Sequence, residues 1–404
     1  MVVDKRLEQL QQLYTKALDL HSLGEFSQAI ALYEEVTGEI PDADTVQYNL
    51  GLALYHEEEY EKAKECFQQA AAVNKSETDY WFNLALTCNK LHLFAEAVAA
   101  YKQALALRPD DVEILYSLGC CCKECGATEE AVQVYSHVLE LDPSYAPALN
   151  NLAYLLHLHD DHENAVQNYQ QLLEIDPDHA GAKHMIAALK GETSPAKPPE
   201  EYVRSLFDSY SETFEESLVG DLDYRAPERL WNLFNHGPRK KKYEHCIDLG
   251  CGTGLCGELF RECSDKLTGI DLSPKMIDIA RQKQIYDTLE EAELIAYFHQ
   301  HHQDPAPFDL VLAADVFIYL GDLKPVFQAI TAGCRDEVHI CFSIESGEGE
   351  DWMLHANGRY SHSHDYILAV AKENDLQVCH FEQVALRQEK GGEVKGLVYF
   401  LRAL

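Results

Sequence analysis

Residues 243–260 read YEHCIDLGCGTGLCGELF, and residues 267–276 read LTGIDLSPKM. The first stretch is a short apolar run, Tyr243–Leu249, that breaks into Gly250-Cys251-Gly252-Thr253-Gly254 and resumes with helical spacing. Strand, glycine turn and helix in that order begin a βαβ unit. Glycines let the backbone bend sharply and meet a ligand with no Cβ in the way. The N–H groups that open the following helix suit a polar or anionic group. The second stretch is another strand, and it ends in Asp271. A carboxylate there can accept both hydroxyls of a ribose.

Two kinds of nucleotide cofactor are compatible with that pattern. Gly252, Gly254 and Gly257 spell the GxGxxG of dinucleotide sites. Asp248 argues against a dinucleotide. A carboxylate at the mouth of the first strand repels a pyrophosphate and suits the cationic end of an amino-acid-bearing nucleoside.

Further strands follow downstream. Phe308–Ala314, FDLVLAA, reads as a fourth strand that runs into Asp315-Val316-Phe317-Ile318-Tyr319, and Asp336–Ile344 reads as a fifth. Leu376–Leu386 and Glu393–Leu401 flank Gly391-Gly392 as an antiparallel hairpin. Upstream, Glu201–His236 places Val203, Leu206, Phe207, Tyr210, Phe214 and Leu218 at helical spacing, which predicts one or two helices over this domain. Before them GETSPAKPPE, residues 191–200, carries three prolines and reads as a linker.

The first half has a different rhythm. Ala29, Ala63, Ala97, Ala131 and Ala165 recur every 34 residues. Four residues after each stands an aromatic: Tyr33, Phe67, Tyr101, Tyr135, Tyr169. Twelve before each stands a small residue: Ala17, Gly51, Ala85, Gly119, Ala153. Twelve after stands proline at 41, 109, 143 and 177, with Lys75 in the second unit. Small residues allow helix axes to approach to ~8–10 Å, and proline stops the second helix of each pair. The aromatic is expected to fill the space between neighbouring units.

That spacing resembles the tetratricopeptide repeat, five times from about Leu10 to Pro177, with His179–Lys190 as a helix covering the open end. The array is thus taken as residues 1–190. The resemblance implies a concave groove that holds a protein or peptide; a spacer or assembly arm is the other reading. Asn49, Asn83, Asn89, Asn150 and Asn151 fall on the groove-forming helices, where they can bond an extended backbone or face solvent. Residues 1–190 hold 12 Lys plus Arg against 31 Asp plus Glu, so a neutral or basic partner is expected.

The string DLGCGTG followed by IDLSPKM resembles the first motifs of class I S-adenosylmethionine-dependent methyltransferases, a Rossmann-like seven-stranded α/β fold, over residues 201–404. YVRSLFDSYSETFEESL, AADVFIYLGDL and GRYSHSHDY are similar to a bacterial group of predicted methyltransferases carrying tetratricopeptide repeats. The resemblance implies S-adenosylmethionine as cofactor. Gly250, Gly252 and Gly254 would shape the loop around the methionine moiety, and Asp248 would orient its amino group, directly or through water. Asp271 would hold the ribose, Leu272 and Met276 would flank the adenine, and Glu293 would meet the adenine amine. Ala314 and Asp315 would line the cofactor from the fourth strand, and Tyr210 and Phe214 would close over it, unless they are plain core.

Attack on a sulfonium methyl chiefly needs alignment, and an alcohol or carbon acid also needs a base. Asp315, Tyr319 and His362 are the candidates, and Arg359 could pair with a substrate carboxylate. The Asn/Asp-Pro-Pro-aromatic run of nucleobase-amine methylation is replaced here by Ala314-Asp315-Val316-Phe317. Three roles stay open: a methyltransferase whose array recruits a protein, one acting on a small metabolite, and a non-enzymatic scaffold.

Composition sets outer bounds. At ~150 residues per domain, 404 residues make two or three domains. Lys plus Arg is 33 and Asp plus Glu 68, a net −35 that disfavours nucleic acid and anionic lipid; only Arg239–Lys242 is a basic patch. No apolar run reaches the ~20 residues of a membrane span, and MVVDKRLEQL lacks a secretory core. Thirteen cysteines, an odd number, read as reduced thiols in a cytoplasmic protein. Cys122 and Cys125, and His299, His301 and His302, are read as thiols and solvated histidines, with no metal site expected.

Overall fold

The computed structural model describes residues 2–191, 197–210, 223–301, 308–349, 351–389 and 392–404. The chain divides into two units, Met1–Pro177 and Asp178–Leu404.

The first unit is built from pairs of helices: α1 (Val2–Ser22) with α2 (Phe26–Glu39), α3 (Asp44–His56) with α4 (Tyr60–Val73), α5 (Thr78–Lys90) with α6 (Phe94–Leu107), α7 (Val112–Glu124) with α8 (Thr128–Leu141), and α9 (Ala146–Leu158) with α10 (His162–Ile175). The five recurring alanines are fully buried, and so are Tyr33, Phe67, Tyr101 and Tyr135. Burying such a ring contributes roughly 1.5–3 kcal/mol. The small residues explain themselves: a Cβ on Gly119 would lie 2.6 Å from the Tyr135 ring, and one on Gly51 2.7 Å from the Phe67 ring. The aromatic therefore packs on the small residue of its own pair, and the hydroxyl of Tyr135 also reaches Asn151 of the next one. The turn joining each pair needs a left-handed residue, at Gly24, Glu58, His92, Gly126 and Asp160, again 34 apart.

The groove asparagines bond tyrosines. Asn49 Nδ2 donates to Tyr14 Oη at 2.9 Å, Asn83 to Tyr48 at 3.1 Å, and Asn151 to Tyr116 at 3.3 Å and Tyr135 at 3.2 Å. Each bond ties one repeat to the preceding one or to its buried ring, so these three amides staple the stack.

The second unit begins with α11 (Ala180–Lys190), the helix expected to cap the array. Within this unit His184 Nε2 lies 3.0 Å from the Gly358 carbonyl, 174 positions away in sequence, and Ala188 joins Leu354 and Tyr360 in one buried cluster. Next come α12 (Glu200–Tyr210) and α13 (Ala226–His236).

The sheet and its helices follow: β1 (Tyr243–Leu249), α14 (Leu255–Phe260), β2 (Ser264–Asp271), α15 (Pro274–Gln282), β3 (Thr288–Glu291), α16 (Leu294–His301), β4 (Phe308–Ala313), α17 (Lys324–Gly333), β5 (Cys334–Ser346), β6 (Trp352–Leu354), β7 (Tyr360–His362), α18 (His364–Glu373), β8 (Leu376–Glu389) and β9 (Gly392–Ala403). The parallel order is β3-β2-β1-β4-β5; β9 pairs antiparallel with β5, and β8 with β9. Those seven strands are the expected ones. Two short strands, β7 and β6, add to the end of β5 at Glu345 and Ser346. Alternate residues face opposite layers. Ile247, Val311 and Ile340 join the core with α17 and α18, while Cys246, Leu310 and Cys341 join Leu230, Leu233 and Phe234 of α13. The strand order reverses between β1 and β4, and an open α/β sheet binds its ligand at that switch point, beyond the strands' C-terminal ends.

Candidate functional site

The glycine loop sits at that switch point. Gly250 has φ +59°, Gly252 φ +53° and Gly254 φ +98°, all left-handed. A Cβ on Gly250 would also meet Val316 Cγ2 at 2.6 Å. Asp271 fastens the loop from the neighbouring strand: its Oδ2 accepts from Gly252 N at 2.9 Å and its Oδ1 from Ser273 N at 2.9 Å. Burial raises its pKa, and those backbone donors oppose the rise.

A cavity of about 170 Å³ opens over the loop. One end is lined by Gly250, Gly252, Thr253, Asp271, Leu272 and Glu293, the other by Tyr224, Ala314, Asp315, Tyr319, Arg359 and Arg387. Val203 and Phe207 of α12 also line it. Ser273 Oγ donates to Asp208 Oδ1 at 2.5 Å and Lys197 Nζ donates to Glu293 Oε1 at 3.0 Å, so α12 and the segment before it are tied to the tips of β2 and β3. Glu293 Oε2 meanwhile accepts from Ala296 N at 2.8 Å, capping α16.

Several candidates lie elsewhere than expected. Asp248 is 1 % exposed and is absent from the cavity lining. It sits behind the loop, where its Oδ2 accepts from Tyr286 Oη at 2.7 Å. Burial pushes its pKa up to about 7, against the Tyr286 hydrogen bond and with help from the charge of Asp271. Tyr286, unremarked in the sequence, holds that carboxylate. Gly254 and Met276 also stay out of the lining; Gly254 faces Tyr286 and Met276 is fully buried. His362, a candidate base, does not line the cavity. It is fully buried outside the cavity with Nε2 2.9 Å from the Gly321 carbonyl, and burial pushes its pKa down to about 4. Phe214 and His302, and the side chain of Tyr210, lie outside the described residues.

The sequence reading missed the charged end of the cavity. Arg387 Nη1 donates to Asp315 Oδ2 at 2.8 Å, Nε to Glu389 at 2.7 Å, and Nη2 to Glu345. Arg359 Nη1 donates to Glu389 and lies 3.6 Å from Glu345. The Arg387 side chain is only 2 % exposed. A register shift in β8 between Ala385 and Arg387 accounts for it: the bulge turns Arg387 inward beside an equally buried Leu386.

Three buried polar atoms here have no hydrogen-bond partner among the described residues: Asp248 Oδ1, Thr253 Oγ1 and Asp315 Oδ1. Each costs about 1–3 kcal/mol when left unpaired. Asp315 also has φ +58°, a strained value for a residue with a Cβ.

Known proteins match both halves. A tetratricopeptide repeat model matches residues 20–85 and 92–156, a second such model residues 146–179, and a methyltransferase domain model residues 247–340. The chain carries tetratricopeptide repeats and a methyltransferase domain. The ubiquinone biosynthesis O-methyltransferase of Idiomarina loihiensis is 29% identical over 131 residues, 32% of this chain and 53% of that one. The putative methyltransferase YqeM of Bacillus subtilis is 26% identical over 138 residues, with the same two shares. The chain thus spans about half the length of these curated relatives. The solved structure of YrrB, "a TPR protein with an unusual peptide-binding site", has 26% identity and a TM-score of 0.42, covering 45% of this chain and 94% of its own. The methyltransferase domain places its glycine loop at the sheet's switch point, and the cavity is built from that loop, α12, the tips of β2 to β4, and Arg359 and Arg387.

Among the described residues no group of three or more His, Cys, Asp or Glu is placed to hold a metal ion. None of the described helices is long and apolar enough to cross a membrane. All thirteen cysteines are unpaired.

Proposed function

We propose that the second unit transfers a methyl group from S-adenosylmethionine to an acceptor held in the same cavity. The observation that carries the reading is the glycine loop fastened by Asp271 at the floor of that cavity. A carboxylate has about four lone-pair sites. Backbone donors use part of them, and Asp271 lines the cavity, where the rest can meet a ribose hydroxyl. Leu272, Ala292 and Leu294 offer apolar surface to a purine, and Glu293 an acceptor for its amine. Unpaired Thr253 Oγ1 is available to the methionine end. Asp248 acts through the loop, its charge favouring a cation above. When bound, the cofactor supplies an electrophilic methyl; the residues orient it, and α12 with Phe207 keeps water out. Calorimetric titration with S-adenosylmethionine tests this reading, and absence of binding at millimolar ligand refutes it.

The repeat array, in this proposal, binds a neutral or basic protein segment. The excess of 31 acidic over 12 basic residues in 1–190 supports that sign. Fluorescent Lys-rich and Glu-rich peptides of equal length test it; preference for the Glu-rich peptide contradicts it. The unpaired thiols support a reducing, cytoplasmic setting. A small acceptor with the array serving assembly is the second reading, favoured by the near-complete burial of Arg387 at the cavity's far end.

A further inference from the structure

We propose that Tyr286 is a positioning residue of the cofactor site: it holds Asp248 beneath the glycine loop as counter-charge to the cofactor's cationic end, so that a cation seats above as a proton leaves below. The inference rests on the cofactor reading above and adds to it a residue outside the cavity lining. The Tyr286 ring is a pillar under the loop. A Cβ on Gly269 would lie 2.9 Å from Tyr286 Cε1 and one on Gly254 3.2 Å from Cε2, while one on Gly257 would collide with Oη. The third glycine of the GxGxxG string thus makes room for this phenol. The pillar is anchored by its neighbour. Asp287 N donates to the Leu267 carbonyl at 2.8 Å, and Asp287 Oδ2 accepts from Leu267 N at 2.8 Å.

Packing alone needs only a phenyl ring there. The hydroxyl has one partner among the described residues, Asp248 Oδ2 at 2.7 Å. Around that buried carboxyl stand Cys246 of β1, Cys251 of the loop, Cys256 of α14, Tyr224 ahead of α13, Asp271 of β2 and Tyr286 ahead of β3. Burial keeps the thiols and phenols neutral, Asp271 is a second carboxyl, and none of the six is a cation. A carboxylate buried without a cation is costly, and a ligand cation over the loop relieves that cost. Burial pushes the Asp248 carboxyl up to about 7, while the Tyr286 hydroxyl and the Gly257 amide oppose the rise. Near neutral pH the empty site therefore holds a proton for part of the time. An arriving cation expels it to solvent, so affinity for a cation rises with pH. Without the phenol donor the proton stays on to higher pH.

The test is calorimetric titration of the full chain with S-adenosylmethionine and with methylthioadenosine, which keeps the nucleoside and lacks the cationic groups. Tyr286→Phe should weaken S-adenosylmethionine about fivefold at pH 8, the loss of one hydrogen bond to a charged group, and leave methylthioadenosine within about twofold. Equal weakening of both ligands marks a merely structural pillar and overturns the proposal. The ratio of native to Asp248→Asn affinity for S-adenosylmethionine should grow about tenfold from pH 6 to pH 8, the ligand's own titration cancelling. A ratio that does not change overturns the proposal too. In the Asp248→Asn background Tyr286→Phe should bring no further selective loss; the full loss there means that Tyr286 does not act through Asp248. Should Tyr286→Phe fail to fold, the pH dependence of that ratio carries the test. Failure of S-adenosylmethionine to bind the native chain overturns the cofactor reading instead.

Discussion

Asp248→Asn should stabilise the methyltransferase domain, and increasingly so as pH rises. The residue is 1 % exposed, and its Oδ2 accepts from Tyr286 Oη at 2.7 Å. Asparagine keeps an oxygen for that phenol and removes the buried charge. In the folded chain the carboxyl titrates at about 7, against an ordinary 3.8. Between those values the folded state holds a proton that the unfolded state has lost, so stability falls as pH rises, by about 1.4 kcal/mol per pH step. Below pH 3.8 both states are protonated and the term vanishes; above 7 it is fully expressed at about 4 kcal/mol. All other titrating groups are shared by the two proteins and cancel. The advantage of the variant should therefore grow by about 3 kcal/mol between pH 5 and pH 8. Urea unfolding followed through Trp231 and Trp352, in a Trp81→Phe background, reads the second unit. An advantage that is equal at both pH values refutes the buried-charge argument. If it appears, the native chain is keeping a destabilising carboxylate under its glycine loop, as a site for a cation would.

Other consequences can be checked alongside. Asp271→Ala removes the acceptor of two backbone donors, so it should cost about 2–4 kcal/mol of domain stability and weaken S-adenosylmethionine more than tenfold; retained affinity contradicts the ribose role. Gly119→Ala forces a methyl to within 2.6 Å of the Tyr135 ring and should cost about 1–3 kcal/mol in the thermal unfolding of the array, whereas Gly38→Ala, with open space around it, should not. His362→Asn should lower stability with no selective effect on S-adenosylmethionine affinity, because the ring is buried away from the cavity; a selective loss of that affinity contradicts this placement. Removing residues 178–190 should destabilise the second unit, since His184 is bonded to Gly358 beside Arg359; an unchanged urea midpoint for that unit contradicts the packing of α11.

What the sequence discloses depends on how local the cause is. The repeat is legible because Gly119 and Tyr135 answer a single steric constraint, and it recurs at fixed spacing. The glycine loop is legible because its three left-handed residues stand within five positions. Asp271 is legible because it ends the adjacent strand, although its two backbone bonds are not. Arg387 was invisible because a bulge, not the alternation of β8, turns it inward. Arg359 and Glu345 meet it from distant positions, and charged residues in a hairpin read as a solvated face. The burial of His362 was hidden for the opposite reason: a polar string, SHSHD, looks exposed yet is covered by α18 and the turn at Gly321. The contacts of helix α11 with Gly358, Leu354 and Tyr360 were not legible, because amphipathic spacing shows that a face is covered, and never by what.

The account rests on the loop at Gly250–Gly254 accepting S-adenosylmethionine, and one titration tests it most directly. The full chain is titrated with S-adenosylmethionine beside NAD. The account predicts saturable binding of S-adenosylmethionine at one site, greatly weakened by Asp271→Ala, and none of NAD. Binding of NAD, or of neither ligand at millimolar concentration, contradicts it.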